Sequence, residues 1–429
     1  MDTVRGLNAS ESGRLFSSIE SAQTPFYILD EDAAITSCKE LLLALSVHDT
    51  PARCFFPYKT NPVPAFLRLV HESGIGAEVS STLELELASR MKAADIIYSS
   101  PVKTQDEIDL AARASATIMV NARDELPKVK SALDSARDSS RIGLRLSLGR
   151  GGTEWSRFGI RSEGVGGVVE DMSRLGLRLS GLHFHLGSWL RYPAPYVKAL
   201  EKVGGLLSDG PLASVAEGLE FVDIGGGIGV SGSSHKDVLD YARGFMSKHG
   251  VGGYIPHKPL MSRTQDSMES FAEAICGSFE RDILPAAPDA VLWLEPGRLL
   301  AAPSFHLVVS VLAVRDSGVV VDGGINLLPS ALHEKYRVVN LSKPLVRRAN
   351  VNVWGPLPMS NDKIADGVLG GPPGVGDILC VMDVGAYNIS MSPQFVQPQA
   401  AIVSVNGGVS RLVRRREDLS HRLGRDVLD

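Results

Sequence analysis

The order of hydrophobic and polar positions predicts alternating strands and helices through the middle of the chain. Short runs rich in β-branched residues are typical of buried strands, and apolar positions that recur every three or four residues indicate amphipathic helices. The predicted strands are Arg53–Tyr58, Ile75–Ser80, Asp95–Ser99, Ala116–Asn121, Arg141–Leu146, Leu179–His185, Phe221–Ile224 and Ala290–Leu294. The predicted helices between them include Pro64–Glu72, Thr82–Met91, Gln105–Arg113, Pro195–Leu207 and Ser267–Phe279. Eight such units in about 250 residues are the size of one parallel (β/α)8 barrel.

The pattern changes from Phe305 onward, where apolar runs follow one another without long helices between them. These runs are Leu307–Val314, Gly318–Val321, Ile378–Met382 and Ala400–Val405, and clusters of Gly, Pro and Asn separate them. Such spacing favours an antiparallel β domain. We expect the least order in the Gly- and Pro-rich stretch Lys363–Gly376 and in the charged tail after Arg414.

The predicted fold class is therefore α/β, with a TIM barrel followed by a C-terminal antiparallel β-sandwich or β-barrel domain. The barrel is assigned to residues 31–304, and the β domain to residues 1–30 and 305–429. The early strand Phe26–Asp30 fits either domain by its pattern and is assigned to the β domain. A chain of 429 residues is long enough to bury two such cores.

The composition excludes several classes of protein. Charged residues make up 22% of the chain and the formal net charge is −5, so no basic field favours nucleic acid or an anionic membrane. The Met1–Thr24 stretch has no apolar core of signal-peptide type, and no apolar run reaches the length of a membrane span. The four cysteines are scattered without a C-x-x-C pair, which argues against a disulfide framework or a metal site. These features predict a cytoplasmic protein.

Chemically versatile residues recur at the predicted C-terminal strand ends, where barrels of this kind carry their active sites. They are Lys59 after Cys-Phe-Phe-Pro-Tyr, Glu78, Arg145, His185 and Ser188, Gly225–Gly227, Glu295 and Arg298. Each has an ordinary structural explanation as a solvated lysine, a turn, a core histidine or an ion-paired carboxylate. A lysine behind aromatic residues can instead form an imine, and glycines after a strand can expose N–H groups to a phosphate. Their shared placement favours an active site.

Seven motifs follow one another along the chain. They are Tyr58-Lys59-Thr60-Asn61, Gly76-Ala77-Glu78-Val79-Ser80-Ser81 with Glu84, Ser156-Arg157-Phe158-Gly159-Ile160, His183-Phe184-His185-Leu186-Gly187-Ser188, Asp223-Ile224-Gly225-Gly226-Gly227, Glu295-Pro296-Gly297-Arg298, and Gly385-Ala386-Tyr387 with Met391-Ser392. In this order they resemble the ornithine/diaminopimelate decarboxylase family, which has the alanine-racemase-like barrel of fold type III enzymes. The resemblance extends from about Pro25 to Arg415. It implies an amino-acid-like substrate, a barrel and a β domain that together complete the active site, and a head-to-tail homodimer with shared active sites.

The resemblance implies pyridoxal 5′-phosphate (PLP) as the cofactor and no metal. The implied catalytic residues are Lys59, which would carry PLP as a Schiff base, His185, which would stack on the pyridine ring, and Glu295, which would face the ring nitrogen. The residues that would hold the phosphate are Ser188, Gly225, Gly226, Gly227, Gly297, Arg298 and Tyr387. Glu78 stands where the family has an aspartate near PLP, and Arg145 would be a further neighbour. A carboxylate at the ring nitrogen keeps it protonated, and the stronger electron sink favours decarboxylation over racemisation.

The chain departs from the family in the segment Gly355–Asp362, which the resemblance assigns to the substrate site at the dimer interface. The family reads Gly-Pro-x-Cys followed by an acidic residue, and its cysteine reaches into the partner's site. Here Pro358 replaces the cysteine and Met359 replaces the acidic residue, whereas Asp362 is kept. Proline offers no proton, and Met359 cannot pair with a distal ammonium group. Pro329 stands where diaminopimelate decarboxylases have an arginine that grips a distal carboxylate.

We therefore predict a PLP-dependent decarboxylase, a carbon–carbon lyase, for an amino acid or an amino-acid-derived intermediate. The departures favour a specialised biosynthetic pathway rather than lysine or ordinary polyamine synthesis, with Lys59, His185 or water as the proton source. A PLP-dependent racemase or epimerase on the same fold is one alternative, which the missing cysteine favours. A non-catalytic homologue is another, although the retained cofactor residues argue against it.

Overall fold

The computed structural model describes residues 23–136, 140–148, 157–236, 265–344 and 348–427. Contacts between Cα atoms divide the chain into two compact units. We call Thr36–Gly229 with Gln265–Leu299 the barrel unit, and Met1–Ile35 with Val230–Thr264 and Leu300–Asp429 the β unit. Of the Met1–Thr24 stretch, only Gln23 and Thr24 are among the described residues.

Twenty β-strands form within the described residues. In chain order they are Phe26–Asp30 (β1), Ala52–Pro57 (β2), Gly76–Val79 (β3), Ile96–Tyr98 (β4), Thr117–Val120 (β5), Ile142–Ser147 (β6), Ile160–Arg161 (β7), Gly181–His183 (β8), Phe221–Asp223 (β9), Ser233–His235 (β10), Val291–Leu294 (β11), Phe305–Arg315 (β12), Gly318–Val321 (β13), Glu334–Tyr336 (β14), Val338–Asn340 (β15), Arg348–Trp354 (β16), Lys363–Leu369 (β17), Ile378–Val381 (β18), Ala401–Asn406 (β19) and Val409–Arg414 (β20). The strands β2 to β9 and β11 belong to the barrel unit, and the others belong to the β unit.

Eleven α-helices lie within the same described ranges. They are Glu31–Ser46 (α1), Pro64–Glu72 (α2), Thr82–Arg90 (α3), Gln105–Arg113 (α4), Leu126–Ala136 (α5), Val165–Arg174 (α6), Ala194–Ser208 (α7), Met268–Asp282 (α8), Gly297–Ala301 (α9), Asn388–Met391 (α10) and Leu419–Leu423 (α11). Short 3-10 helices occur at Arg123–Glu125, Ser162–Gly164, Ala213–Gly218, Ala302–Ser304 and Pro329–Leu332. None of the described helices is long and apolar enough to cross a membrane.

Eight strands of the barrel unit form a closed ring of parallel neighbours. The ring runs β2–β3–β4–β5–β6–β8–β9–β11, and β11 pairs with β2 to close it. Every predicted strand lies within two residues of an observed one at each end, because a buried parallel strand is a continuous apolar run that the sequence displays directly. The (β/α)8 prediction is confirmed.

Polar residues at the ends of the helices explain where several of them begin. Ser81 precedes α3 and accepts a hydrogen bond from the Glu84 N–H at 3.2 Å. Thr104 precedes α4, and its side chain and that of Glu107 bond each other's backbone N–H groups. Such caps satisfy N–H groups that have no partner inside the helix. They place the turns that connect strands to helices, and the site residues follow the strands in these turns.

Large side chains fill the interior of the barrel. Phe55, Ile97, Met119, Phe221 and Trp293 form one buried cluster, in which the Phe221 and Trp293 rings are stacked with centroids 3.7 Å apart. The chain needs glycine at position 181, since a Cβ there would lie 2.4 Å from the Phe221 ring. The interior is therefore packed solid, and open space for chemistry is left to the strand ends.

The β unit is built around a closed ring of six strands. The ring runs β12–β13–β16–β17–β15–β18, and β1, β19 and β20 extend the sheet from β12. Six of the nine pairings are antiparallel, but β1–β19, β13–β16 and β15–β17 are parallel. The predicted β domain is confirmed, with a mixed sheet in place of a purely antiparallel one. The parallel pair β1–β19 arises because an early strand is inserted between two late ones.

The stretch Lys363–Gly376 is not the irregular loop that its Gly and Pro content predicted. Its first half is strand β17, which pairs with β16 and β15 and buries Ile364, Ala365 and Val368. These apolar positions anchor the strand against its neighbours, and the irregular part is confined to Gly370–Gly376. The expectation of disorder in the charged tail is also wrong in part, because α11 follows β20 there.

Candidate active site

The strand ends of the barrel unit bring Lys59 and Glu78 together. Lys59 follows β2 and Glu78 lies in β3, the neighbouring strand, and the Lys59 Nζ is 2.5 Å from the Glu78 Oε2. The Glu78 side chain is buried, whereas the Lys59 side chain is 45% exposed. Ser80 donates a hydrogen bond to the other Glu78 oxygen at 3.1 Å, which fixes the carboxylate. The lysine is therefore oriented by a buried carboxylate and still accessible from outside.

A second group of three residues comes from β8, β9 and the end of β11. Ligand atoms of His183, Asp223 and Glu295 all lie within 4.8 Å of one another, and all three side chains are buried. The His183 Nε2 is 3.5 Å from the Glu295 Oε1, and the Gly225 N–H donates to the Asp223 Oδ1 at 2.8 Å. Sequence reasoning found Glu295 but gave no role to His183 or Asp223. Their signal was present, since each is a polar residue at the last position of a buried strand.

Burial and mutual repulsion shift the pKa values in this group. Burial, followed by the charges of Asp223 and Glu78, raises the pKa of Glu295 well above its usual range. Burial is also the main reason that the pKa of Asp223 rises to about 7. The pKa of His183 falls well below its usual range because of burial and then the nearby Arg145. Without a positively charged ligand, the carboxyl groups of Asp223 and Glu295 therefore retain their protons below about pH 7, and the His183 imidazole is neutral there.

We expect the cofactor-free protein to lose stability as the pH rises from about 4 to about 7. Unfolded aspartate titrates near pH 3.9, whereas folded Asp223 keeps its proton up to a pKa of about 7. Between these values the folded chain binds more protons, so a rise in pH favours unfolding. Melting temperatures measured from pH 4 to 8 should fall less steeply for Asp223→Asn than for the unchanged chain. Equal slopes, or the same flattening in the exposed control Asp209→Asn, would contradict this.

The three glycines after β9 form a tightly packed loop. Gly225 and Gly227 have φ values of +67° and +113°, which favour glycine. A Cβ at Gly226 would lie 2.1 Å from the Glu295 carbonyl oxygen, and one at Gly227 would lie 2.0 Å from the Gly187 carbonyl oxygen. The loop thus lies directly against the chain at Glu295, and only glycine permits this approach.

The same loop orients His185. The Gly226 N–H donates to the His185 Nδ1 at 3.4 Å, so the neutral ring carries its proton on Nε2. Burial, followed by the positive charges of Lys59 and Arg145, lowers the pKa of His185 to about 3. His185 is therefore an uncharged, fixed aromatic ring at physiological pH.

Two cationic side chains near the site lie against aromatic rings. The Arg145 guanidinium carbon is 4.8 Å from the centre of the Phe158 ring, and that of Arg298 is 4.2 Å from the centre of the Trp189 ring. Gly297 precedes Arg298 and could not be another residue without displacing Thr60, whose Oγ1 would lie 2.4 Å from its Cβ. Each arginine thereby makes a cation–π contact that restricts its side chain.

A buried ion pair supports the loop that carries Phe158. The Lys103 Nζ is 3.0 Å from the Glu125 Oε2, and both side chains are almost wholly buried. The same carboxylate oxygen accepts the Asn121 N–H at 2.8 Å. The Asn121 side chain donates to the Arg157 carbonyl at 3.1 Å and accepts the Gly159 N–H at 3.0 Å. Neither the pair nor its link to this loop was predicted, and Ser156 of the same motif lies outside the described residues.

The remaining predicted residues are distributed over both units. Ser188 is an exposed residue of the barrel unit, whereas Tyr387, Pro358, Met359 and Asp362 belong to the β unit. Tyr387 has a left-handed backbone with φ +64° and directly precedes α10.

Asp362 has a structural role that the sequence did not indicate. Its carboxylate is buried and accepts the N–H groups of Ile325 and Leu357, each at 2.7 Å. Asp362 thereby ties the segment Gly355–Asp362 to the turn at Gly324.

The amino-acid sequence of this chain matches the pyridoxal-dependent decarboxylases. A family model described as "Pyridoxal-dependent decarboxylase, pyridoxal binding domain" matches residues 35–302, more than half of the 429 residues. The chain belongs to this family. Its cofactor is accordingly PLP, and it is a PLP-dependent decarboxylase, a carbon–carbon lyase, as the sequence predicted. The racemase and the non-catalytic homologue are therefore not favoured.

Relatives extend the similarity over nearly the whole chain. The diaminopimelate decarboxylase of Methanothermobacter thermautotrophicus is 27% identical and covers 93% of this chain and 91% of its own length. That of Archaeoglobus fulgidus is 29% identical and covers 84% of each. The crystal structure of diaminopimelate decarboxylase from M. jannaschii with L-lysine has a TM-score of 0.81 at 21% identity, covering 96% of this chain and 94% of that one. The last comparison shows the shared fold.

These relatives correct one part of the predicted function. We predicted a specialised pathway other than lysine synthesis, but the relatives are named diaminopimelate decarboxylases, which points to lysine synthesis. The prediction gave too much weight to Pro329, Pro358 and Met359. A few replacements in loops change individual contacts, whereas similarity along more than nine-tenths of the chain reflects the whole framework that holds the site.

Residues of the barrel unit fit PLP. In the described residues, the Glu295 Oε1, the Asp223 Oδ2 and both His183 ring nitrogens are buried without a hydrogen-bond partner. Burying such polar groups without a partner costs free energy unless a ligand forms hydrogen bonds with them. The protonated pyridine nitrogen of PLP would offer the positively charged N–H donor that Glu295 lacks. The same donors have the spacing of a divalent-metal site, but the family assigns the site to an organic cofactor.

Proposed function

We propose that this enzyme removes CO2 from diaminopimelate. The observation that carries the proposal is the buried group of His183, Asp223 and Glu295 beside the Lys59–Glu78 pair, which suits PLP-dependent loss of a carboxylate. The names of the relatives supply the substrate. With this substrate, the distal end is recognised by groups other than an arginine at position 329 or an acidic residue at position 359.

Different residues of the chain would bind different parts of the cofactor. When bound, PLP supplies an electron sink for the electron pair that the departing CO2 leaves behind. Lys59 would hold it covalently, and the neutral ring of His185 would pack against it. Glu295 would accept a hydrogen bond from the protonated ring nitrogen and so keep it protonated. Ser188, the loop Gly225–Gly227, Gly297, Arg298 and Tyr387 remain the proposed phosphate ligands.

A proton must replace the carboxylate at Cα after the carbon–carbon bond breaks. Pro358 has no proton to give, and of the predicted sources we propose the Lys59 Nζ, which Glu78 holds at 2.5 Å. Glu84 lies close to this pair, and its pKa is raised by burial and by the charge of Glu78. The Glu84 carboxyl group can return a proton to Lys59 after it has been donated.

Mass spectrometry of a panel of amino acids in D2O tests the proposal. We expect diaminopimelate to lose CO2 and to yield lysine that carries one solvent deuteron at carbon, with Lys59→Ala as the inactive control. Turnover of another amino acid instead would overturn the substrate but not the reaction class. Deuterium in an otherwise intact amino acid would indicate Cα–H chemistry and a racemase.

We further propose a homodimer located in the cytoplasm. The resemblance to head-to-tail dimers supports the first part, and the absence of a spanning helix in the described residues agrees with the second. A solution mass near 46 kDa, the mass of one chain, would contradict the dimer.

A further inference from the structure

Trp189 has a backbone conformation that aromatic residues rarely adopt. Its φ of +62° lies in the left-handed region, where a bulky side chain costs free energy unless its surroundings compensate. Trp189 follows Ser188 in the loop after β8. Strain of this kind often accompanies a functional requirement on the side chain, so the contacts of this ring are informative.

Main-chain hydrogen bonds fix this loop against the glycine loop. The Leu190 N–H donates to the Gly227 carbonyl at 2.9 Å, and the Gly229 N–H donates to the Leu190 carbonyl at 2.9 Å. Leu190 and Ile228 also form an isolated parallel bridge. The backbone that carries Trp189 is therefore anchored to the glycine loop through its neighbour Leu190.

The face of the indole ring contacts Arg298. The guanidinium carbon lies 4.2 Å from the ring centre, which is a cation–π contact, and Arg298 is largely buried. Stacking uses the flat face of the guanidinium, whereas its N–H groups lie in the plane and can donate to a phosphate in pairs. A cation–π contact of this kind restricts the arginine side chain and is compatible with donation from its N–H groups.

We propose that Trp189 is a positioning residue for the phosphate of PLP, acting through Arg298. This inference rests on the proposed function, because it takes Arg298 as a phosphate ligand. The indole ring holds the guanidinium where its in-plane N–H groups meet the phosphate. The strain at Trp189 is the consequence of placing this ring beside Arg298 from a loop that is already bound to the glycine loop.

The test compares the affinities of the full-length protein for PLP and for pyridoxal, which lacks the phosphate. We expect Trp189→Ala to weaken PLP binding by about 2-fold to 30-fold, the range that one cation–π contact supports. Pyridoxal binding should stay within about twofold, since the ring contacts remain. Trp189→Phe should restore much of the loss, and Trp189→Gly should behave like Trp189→Ala although it also relieves the strain.

Two controls separate the possible failures. Tyr192→Ala removes an exposed aromatic ring three residues further along and should change neither affinity. In an Arg298→Ala background, Trp189→Ala should have no further effect on PLP binding. Equal weakening for PLP and pyridoxal, or additive effects of the two substitutions, would overturn the role of Trp189. If Arg298→Ala itself leaves the preference for PLP unchanged, the proposed phosphate site is wrong as well.

Discussion

The Lys59→Ala variant is expected to lose all measurable decarboxylation and its covalent attachment to PLP. Turnover should fall at least about a thousandfold, because the substitution removes the covalent catalyst and a proton-transfer group worth roughly 10²- to 10⁴-fold by itself. Turnover is followed as CO2 release, and attachment as the visible absorbance of the cofactor before and after borohydride reduction.

A matched lysine separates this effect from a general loss of charge. Lys198 is exposed on α7, and Lys198→Ala should keep both turnover and absorbance. Circular dichroism should accompany the Lys59→Ala measurement, since the substitution leaves the buried Glu78 carboxylate without Lys59. Retained covalent PLP in a folded Lys59→Ala protein would show that another amine carries the cofactor.

The Lys103→Met variant is expected to lower the free energy of unfolding by about 3–5 kcal/mol. The substitution leaves the Glu125 carboxylate buried without its cation, and burial already lowers the pKa of Lys103. The loss should be visible in urea titrations monitored by circular dichroism. Activity should also fall, because Glu125 positions Asn121 and, through it, the loop at Gly159.

A second substitution distinguishes an unpaired charge from lost packing. In Lys103→Met with Glu125→Leu, no charge is left uncompensated, and stability should recover much of the loss. The exposed pair Arg90–Glu86 is the comparison, since Arg90→Ala should cost less than about 1 kcal/mol. A loss as small as this in Lys103→Met would mean that water reaches Glu125 and the pair is not structural.

Local patterns of apolar residues were enough to predict most of the barrel strands. Each buried strand is a short apolar run. Lys59 and Glu295 follow such runs and Glu78 lies in one, so their positions along the chain predicted that these three side chains lie near one another. Lys103 and Glu125 were missed because they are 22 residues apart, and only the closed ring of strands brings the turns after β4 and β5 together. The role of Trp189 likewise depends on its contact with Arg298, more than one hundred residues away.

The Gly- and Pro-rich stretch Lys363–Gly376 shows where prediction from local composition fails. Its composition predicted a loop, but apolar residues at Ile364, Ala365 and Val368 found a place between β16 and β15. The strand depends on partners that are distant in sequence, so composition alone could not reveal it. Asp362 was a similar case, since its partners Ile325 and Leu357 identify it as a loop anchor.

The place of β1 in its sheet delays its pairing during synthesis, because its neighbour β19 is translated near the end of the chain. Phe26 pairs with Ala401, so a ribosome that adds about 5–20 residues per second needs roughly 20–75 s to supply this neighbour. Glu31 waits as long for its bonds to Ser404 and Arg411. All eight strands of the barrel ring emerge within that interval. The nascent chain therefore carries an apolar strand with an open edge while the barrel folds. During this period chaperones that bind nascent chains would protect the strand, and stalled translation would expose it to aggregation.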